Sequence, residues 1–542
     1  MLGGSSITEH EFPAGIAFIV PDKLLFAPGL ATVRRNNSTE HFLMSSEINP
    51  TGKKPNLILI TTDQQRGDCL GCDGHPCVET PYLDELAEQG ARFATAYTSV
   101  PSCTPARAGI LTGMDQWNHG RLTMAGSDPL EYPATLPGEL AKAGYHTQGV
   151  GKMHFAPQRR LYGFHNLVLD ESGRRQENFV SDYHEWFDEN KDGPYGYRDH
   201  SIDWNSWMAR PSHLPEHLHP TWWTASEGIK FINHRDPTKP FFLWLSFARP
   251  HSPYDAPQTY YDMYIDNPNV PKPHIGDWCD EFDQPVANTN APFTHRPDAE
   301  VHRGRAGYYG NITFIDHQIG RFLYELRRHE PATYNNSLII FTSDHGDMMG
   351  DHYHWRKTYA YEGSARVPFI VKYPGGWNVP KNKTIDKPVE LRDIMPTLLD
   401  AAGVDIPDSV DGDSLLKIAN GDSEWREFVQ GEHTSCYTKE QGMQYITDGH
   451  EKYIWFHHTG KELFFDLDED PGECRNLAGK LESKERVEKW RSRLAEVNEK
   501  RGDPRGQDGK LVPQPDGALT LSPNYQKWKK EGQEEIERVH SV

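Results

Sequence analysis

The chain has 542 residues, 36% hydrophobic and 11% aromatic, so it can bury a large core and exceeds one ordinary domain. A formal charge of -21 argues against a general nucleic-acid or anionic-membrane binder, although a net-acidic protein can still gather cations locally around an anionic substrate. No uninterrupted apolar run is long enough to span a bilayer, so no membrane partner is expected.

In chain order, residues 1–45 read as an irregular N-terminal extension, or as a start placed too early, given the second methionine Met44. The short apolar stretch 15–20 follows Glu9 and Glu11 and is broken by Pro21 and Asp22. It is a poor secretory signal, which favours a cytoplasmic location and leaves a periplasmic or secreted one open. Residues 56–62 form a continuous apolar, β-branched run, as in a strand buried on both faces, and it ends at Asp63-Gln64. A helix over 82–89, a strand over 91–97, a helix over 136–143 and a strand over 145–150 follow, the last delivering Gly151-Lys152-Met153-His154. After a loop-rich stretch come a helix over 222–233 and a strand over 241–247 that exits toward His251. A helix over 303–328 and a strand over 337–342 then lead to Ser343-Asp344-His345-Gly346-Asp347. Beyond a helix over 392–402, short strands at 443–447, 452–456 and 463–465 suggest a small antiparallel sheet. A charged helix spans 482–500, and the Gly/Pro-rich tail reads as irregular.

This alternation predicts an α/β fold: a large, mainly parallel or mixed central sheet flanked by helices, with a smaller C-terminal subdomain holding an antiparallel sheet and a helix. The expected divisions are 1–45, a catalytic domain over 46–420, the subdomain over 421–505 and the tail over 506–542. The seven cysteines (69, 72, 77, 103, 279, 436 and 474) are few and odd in number, so they are no disulfide framework. Cys69-x-x-Cys72 lacks a clear second pair for structural zinc.

Ligands of such sheets sit beyond the carboxyl ends of the strands. Asp63, Cys103, Lys152, His154, His251, Asp344 and His345 all follow predicted strand ends, so one sheet edge should collect them. Around Cys103 the sequence Ser102-Cys103-Thr104-Pro105-Ala106-Arg107 reads as a turn into a helix. With Pro105 at the first helical position, Cys103 falls just ahead of the N-terminus. Free N–H groups and the positive dipole end there favour an anion, and a thiol would have a lowered pKa. A packed loop cysteine is the alternative. Asp63, Gln64, Asp344 and His345 offer oxygen donors and one imidazole for a hard divalent cation, although each Asp alone also suits a turn.

Cys103-x-Pro105-x-Arg107, followed by Ala108-Gly109 and Leu111-Thr112-Gly113, resembles the signature of the type I, formylglycine-dependent sulfatases of the alkaline-phosphatase-like superfamily. The resemblance runs from about residue 56 to 477 and includes Tyr361-Glu362-Gly363, Arg366-Val367-Pro368 and Asp470-Pro471-Gly472-Glu473. It implies that a maturation enzyme converts Cys103 to formylglycine (3-oxoalanine), whose hydrate attacks sulfur to give a covalent sulfo-enzyme. It further implies one calcium ion on Asp63, Gln64, the Cys103 position, Asp344 and His345, where other members carry two adjacent acids and Asp-Asn. By the same resemblance Arg107 and Lys152 hold the formylglycine and Lys357 contacts the sulfate. His154 then acts on the formylglycine hydroxyl, and His251 protonates the leaving alcohol. This is chemically coherent: an imidazolium can neutralise a leaving oxygen, and fixed cations stabilise sulfuryl oxygens without reorganising.

The competing readings are a phosphonate monoester or phosphodiester hydrolase of the same superfamily, and a non-catalytic sulfated-glycan binder. Trp204, Trp207, Trp222 and Trp223, with His213, His217 and His219, could stack on sugar rings or merely pack a long insertion. The reading adopted for the natural substrate is a carbohydrate sulfate ester, with aryl sulfates also accepted.

Overall fold

The computed structural model describes residues 48–171, 179–282, 290–420, 424–435 and 437–540. The expected extension over 1–45 lies outside them. No described helix is long and apolar enough to cross a membrane.

The apolar runs form strands β1 (Asn56–Asp63), β2 (Gly90–Phe93), β4 (His146–Gly151), β5 (Asn166–Leu169), β6 (Phe241–Pro250), β7 (Ser337–Ser343), β8 (Phe369–Lys372) and β9 (Lys383–Ile385) of one sheet, while β3 (Ala96–Tyr97) lies outside it. Its strand order is β5-β4-β6-β1-β7-β8-β2-β9. The stretch from β5 to β7 is parallel, β8 runs antiparallel to β7 and β2, and β9 is parallel to β2. Successive side chains alternate between faces, so both must be apolar when both are covered. Leu57, Leu59, Phe242, Trp244, Leu338 and Ile340 join one core, and Ile58, Ile60, Leu243, Leu245, Ile339 and Phe341 the other. The second core is closed by helices α1 (Pro81–Glu88), α4 (Pro220–His234) and α5 (Asp298–His329). On the first lie α2 (Cys103–Thr112), α3 (Leu136–Lys142) and α6 (Ile394–Ala401).

The expected strand over 91–97 is divided. A turn at Ala94-Thr95 takes the chain out of the main sheet, and β3 pairs instead with β10 (Val389–Glu390). Thr95 Oγ1 holds the turn by donating to the Lys387 carbonyl (2.7 Å).

The C-terminal sheet is antiparallel, in the order β11 (Val429–His433), β12 (Met443–Thr447), β13 (Glu451–Phe456), β14 (Glu462–Asp466). Its edge strand β11 was not expected, because Gly431, Glu432 and His433 hide the period-2 pattern. Gly431 is required there, since a Cβ would lie 2.2 Å from the Tyr445 ring. One face of the sheet takes Val487, Trp490 and Leu494 of α7 (Lys484–Lys500). The other packs Tyr445, Ile454 and Phe465 against Tyr97, Tyr359 and Tyr361 of the larger unit. Lys452 Nζ is buried at this junction, bonded to Glu362 (2.6 Å), Glu473 (3.0 Å) and the Ala360 carbonyl (2.9 Å).

The tail is not irregular. Pro523, suited to a first turn, opens helix α8 (Pro523–His540), which returns to the larger unit. Tyr525 and Trp528 enter the first core, and Trp528 Nε1 donates to the Asn118 carbonyl (2.8 Å). At Gly120 (φ 93°) a Cβ would meet the Tyr525 backbone at 2.7 Å. Trp528→Ala is therefore expected to destabilise the whole unit by about 3 kcal/mol, the range for losing a buried aromatic. Urea unfolding measures this, and an unchanged midpoint would mean that α8 contributes nothing to the fold.

Candidate active site

Adjacent parallel strands β1 and β7 end side by side, which places Asp63 and Asp344 together without water. Gln64 turns away in a left-handed conformation (φ 76°), and its N–H donates to Asp344 Oδ1 (3.1 Å). The end of β6 lies against Asp63, and the His251 N–H donates to the Asp63 carbonyl (2.9 Å). These contacts fix three strand exits on one edge.

Helix α2 points its N-terminus at the same place. Ser102 is the N-cap and Cys103 the first helical residue, so Pro105 sits two residues inside rather than at the start. Proline is tolerated there because first-turn N–H groups have no intrahelical acceptor. Cys103 is 1% exposed, and its sulfur faces the carboxylate cluster. It lies 3.2 Å from His345 Nε2, 3.2 Å from Lys357 Nζ and 3.8 Å from Asp63 Oδ1. Burial and Asp63 push the thiol up, but Lys357, Lys152 and His345 outweigh them and hold it below its ordinary pKa.

The cations divide between the sulfur and the carboxylates. Lys152 Nζ pairs with Asp63 Oδ2 (2.7 Å) and Arg107 Nε with Asp344 Oδ2 (2.9 Å), with a longer Arg107 contact to Asp63 (3.4 Å). Lys357 alone of these three touches the sulfur. Arg107 sits one helical turn beyond Cys103, where its guanidinium meets the carboxylates and also the Lys152 carbonyl and Ser246 Oγ. Burial opposes ionisation of Asp63, yet Lys152, His251, Lys357 and His345 keep it well below the usual carboxylate range.

The donor atoms of Asp63, Cys103, Asp344 and His345 all lie within 4.8 Å of one another. His345 Nδ1 is 2.9 Å from the Gly346 carbonyl, an arrangement that turns Nε2 toward the cluster. Gln64 Nε2 donates to Asp347 Oδ2 (2.5 Å), while Gln64 Oε1 is buried with no hydrogen-bond partner. Two carboxylates and an amide oxygen suit a hard divalent cation, and the imidazole adds one nitrogen donor. A thiol is the soft exception in that set.

Among the ten site residues singled out in the sequence, nine converge here. His154 lies two residues beyond Lys152, after the end of β4. Its backbone is left-handed (φ 61°), and its ring lines a small cleft with Thr104, Arg107, Tyr132 and Tyr162. Glu171 Oε1 accepts from the Met153 and His154 N–H groups (3.0 and 2.6 Å) and fixes that turn. His251 Nδ1 is 2.7 Å from the Ser252 carbonyl. Burial and Lys357 hold this imidazole well below its ordinary pKa despite Asp63.

Sequence reasoning passed over Asp347, a hub with four bonds. Oδ1 accepts from the Met349 and Arg356 N–H groups (3.0 and 2.8 Å), and Oδ2 from Gln64 Nε2 and Tyr254 Oη (2.5 and 2.6 Å). It closes the loop over 349–358, where Met349, His352, Tyr353, Arg356 and Thr358 all have positive φ. Such strain persists only where surrounding contacts over-determine it. The Thr358 N–H anchors the loop to the Pro101 carbonyl (2.8 Å), just before Cys103. From the other subdomain, His433 Nε2 lies 3.2 Å from Ser102 Oγ. Burial, His345 and Lys357 hold His433 down to about 3.

Of the aromatic insertion, Trp223 and His219 are buried. Trp222 packs on Trp186 beneath Arg321, and Trp207 lies against Trp355 under Arg296. Half-buried Trp204 is different: Ser252, beside His251, donates to its carbonyl (2.5 Å).

The family model described as Sulfatase matches residues 55–404, and one described as N-sulphoglucosamine sulphohydrolase, C-terminal, matches 350–500. An arylsulfatase of Clostridium perfringens is 46% identical over 474 residues, covering 85% of this chain and 97% of that protein. An ulvan-active sulfatase of Formosa agariphila is 30% identical, covering 79% of this chain and 78% of its own. The solved phosphonate monoester hydrolase of Agrobacterium radiobacter superposes with a TM-score of 0.68 at 25% identity, covering 82% of this chain and 96% of that one.

Asp347→Asn turns a donor toward Gln64 or Tyr254. It should lower the affinity of this cluster for an added divalent cation by about 10- to 100-fold, the usual effect of losing a partner that orients a metal ligand. Calorimetric titration of calcium reads this directly; equal affinity in both proteins would show that the orientation of Gln64 is irrelevant to the ion.

Proposed function

We propose that this chain, which belongs to the sulfatase family of the alkaline-phosphatase-like superfamily and is a sulfuric ester hydrolase, cleaves a carbohydrate sulfate ester and also accepts aryl sulfates. The observation that carries the reading is the Cys103 sulfur at the first residue of α2, 3.2 Å from both Lys357 Nζ and His345 Nε2. Formylglycine made from Cys103 would supply a hydrated aldehyde as nucleophile, and calcium on Asp63, Gln64, Asp344 and His345 a fixed positive charge for the sulfate oxygens. The mismatch of a soft sulfur among hard donors supports the oxidised form, since an oxygen there completes a calcium-like set.

The chain's own groups then have distinct tasks. Lys357 neutralises the sulfate beside the nucleophile, while Arg107 and Lys152 hold the carboxylates and through them the nucleophile's setting. His154 is the base for the nucleophile's hydroxyl proton. His251 serves the leaving alcohol through Nε2, because Nδ1 is engaged with the Ser252 carbonyl. Its imidazole is kept neutral at rest by burial and Lys357, and a sulfate bound on Lys357 offsets that repulsion.

The likeness to a phosphonate monoester hydrolase favours one other reading, a phosphonate or phosphodiester substrate at the same residues. Parallel kcat/KM on an aryl sulfate, a phosphonate monoester and a phosphodiester separates the two; a dominant phosphorus ester would overturn the sulfate reading. Peptide mass spectrometry of protein from the native host should find the Cys103 peptide about 18 Da light, the change from thiol to aldehyde. An unmodified peptide there would defeat the mechanism. His251→Ala should slow a sugar sulfate at least about 100-fold but a nitrophenyl sulfate far less, because a good leaving group needs little protonation. Equal losses on both would remove His251 from that role.

A further inference from the structure

Arg356 is buried (6% exposed), yet among the described residues it has no carboxylate partner. Its guanidinium donates from Nη2 to the Asn290 carbonyl (2.6 Å) and lies 4.6 Å from the centre of the Tyr437 ring, while Nε finds no acceptor. Elsewhere the fold treats buried arginines differently. Arg66, Arg107, Arg249, Arg305 and Arg505 each reach a carboxylate at 2.5–2.9 Å. Arg121 lacks one too, but it gives its guanidinium to two carbonyls and the Tyr525 ring. A buried cation without a counter-charge is costly, and a planar fork of free donors is suited to a carboxylate or sulfate.

The surroundings tie this residue to the loop that carries Lys357. Arg356 precedes Lys357, whose Nζ touches the Cys103 sulfur, and its own N–H is tied to Asp347. Its left-handed backbone (φ 68°) is an unfavourable state held for the sake of that orientation. Four separate segments meet around it: the strained loop, Asn290, Tyr437 from the C-terminal subdomain, and the aromatic insertion through an Asn290–Asp203 bond (2.7 Å). Tyr437 is also near enough to Lys357 to act on its charge, so one tyrosine neighbours both cations. Neither the nucleophile nor the cation cluster uses Arg356.

We propose that Arg356 is the recognition point for a second anionic group, a carboxylate or a further sulfate, carried by the same molecule as the reacting sulfate ester. The inference rests on the sulfate-ester reading above and narrows its substrate to a doubly anionic sugar. Tyr437 and the Asn290 carbonyl orient the guanidinium, and Lys357 takes the reacting group while Arg356 takes the other.

The test uses three ligands built on one sugar: a single O-sulfate, the same with a second sulfate, and the same with a carboxylate. Binding is measured by calorimetry on the Cys103→Ala protein, which cannot turn them over, and kcat/KM on the active enzyme. The parent should favour at least one doubly anionic ligand by about 10-fold or more, equivalent to about 1.4 kcal/mol. Arg356→Gln should abolish that preference through Kd and KM, with the singly sulfated sugar changed less than about 2-fold; Arg356→Lys should keep part of it, as a point charge without the fork. The comparison of the two doubly anionic ligands identifies the group. A parent without preference, or an Arg356→Gln protein that loses equally on all three, overturns the proposal. An enzyme that turns over no sulfate ester defeats the hydrolase reading instead, and the binding series still decides this one.

Discussion

The structure turns on two carboxylates, Asp63 and Asp344, that have no contact with water. Burying a charge is tolerable only where opposite charge arrives with good geometry, and removing one partner leaves the other stranded. Arg107, Lys152, Lys357 and His345 meet that demand from four different places: a helix, a strand end, a strained loop and the turn after β7. No local stretch could do so. The parallel sheet is what makes the arrangement repeatable, since neighbouring strands deliver their ends to one edge and the cations need only converge on it.

That requirement explains what could be read from residues and what could not. The runs at 56–62, 241–247 and 337–342 were legible because a strand covered on both faces must be apolar throughout, and Asp63, His251 and Asp344 follow immediately. Gln64 and Lys357 were found through motif order, since left-handed residues such as Gln64 and Arg356 carry no periodic signal. Asp347 was overlooked for the opposite reason: acidic residues after a strand are ordinary turn formers, and only coordinates reveal four donors on one side chain. The pairing of Arg107 and Lys152 with carboxylates rather than with Cys103 likewise depends on distances that spacing does not encode. Helix α8 escaped because few of its side chains are buried and a Gly/Pro-rich stretch precedes it.

The C-terminal subdomain is more than an attachment. Its edge strand brings His433 to the N-cap of α2, and Tyr437 stands over Arg356 of the loop that carries Lys357. Lys452 seals the junction from inside, where two glutamates converge on one ammonium. Fold and site are thus one electrostatic problem, solved with buried pairs on both sides of the seam. The aromatic insertion follows a simpler logic: most of its rings fill space, and one edge of it reaches the site.

Helix α8 has a consequence in time as well as space. It is synthesised long after Cys103, yet Tyr525 and Trp528 complete the wall beside Asn118 and Gly120, a few residues beyond the end of α2. Until that helix docks, the first core lacks two of its aromatic side chains. The half of the molecule that is made early is therefore completed only by a helix that is made late.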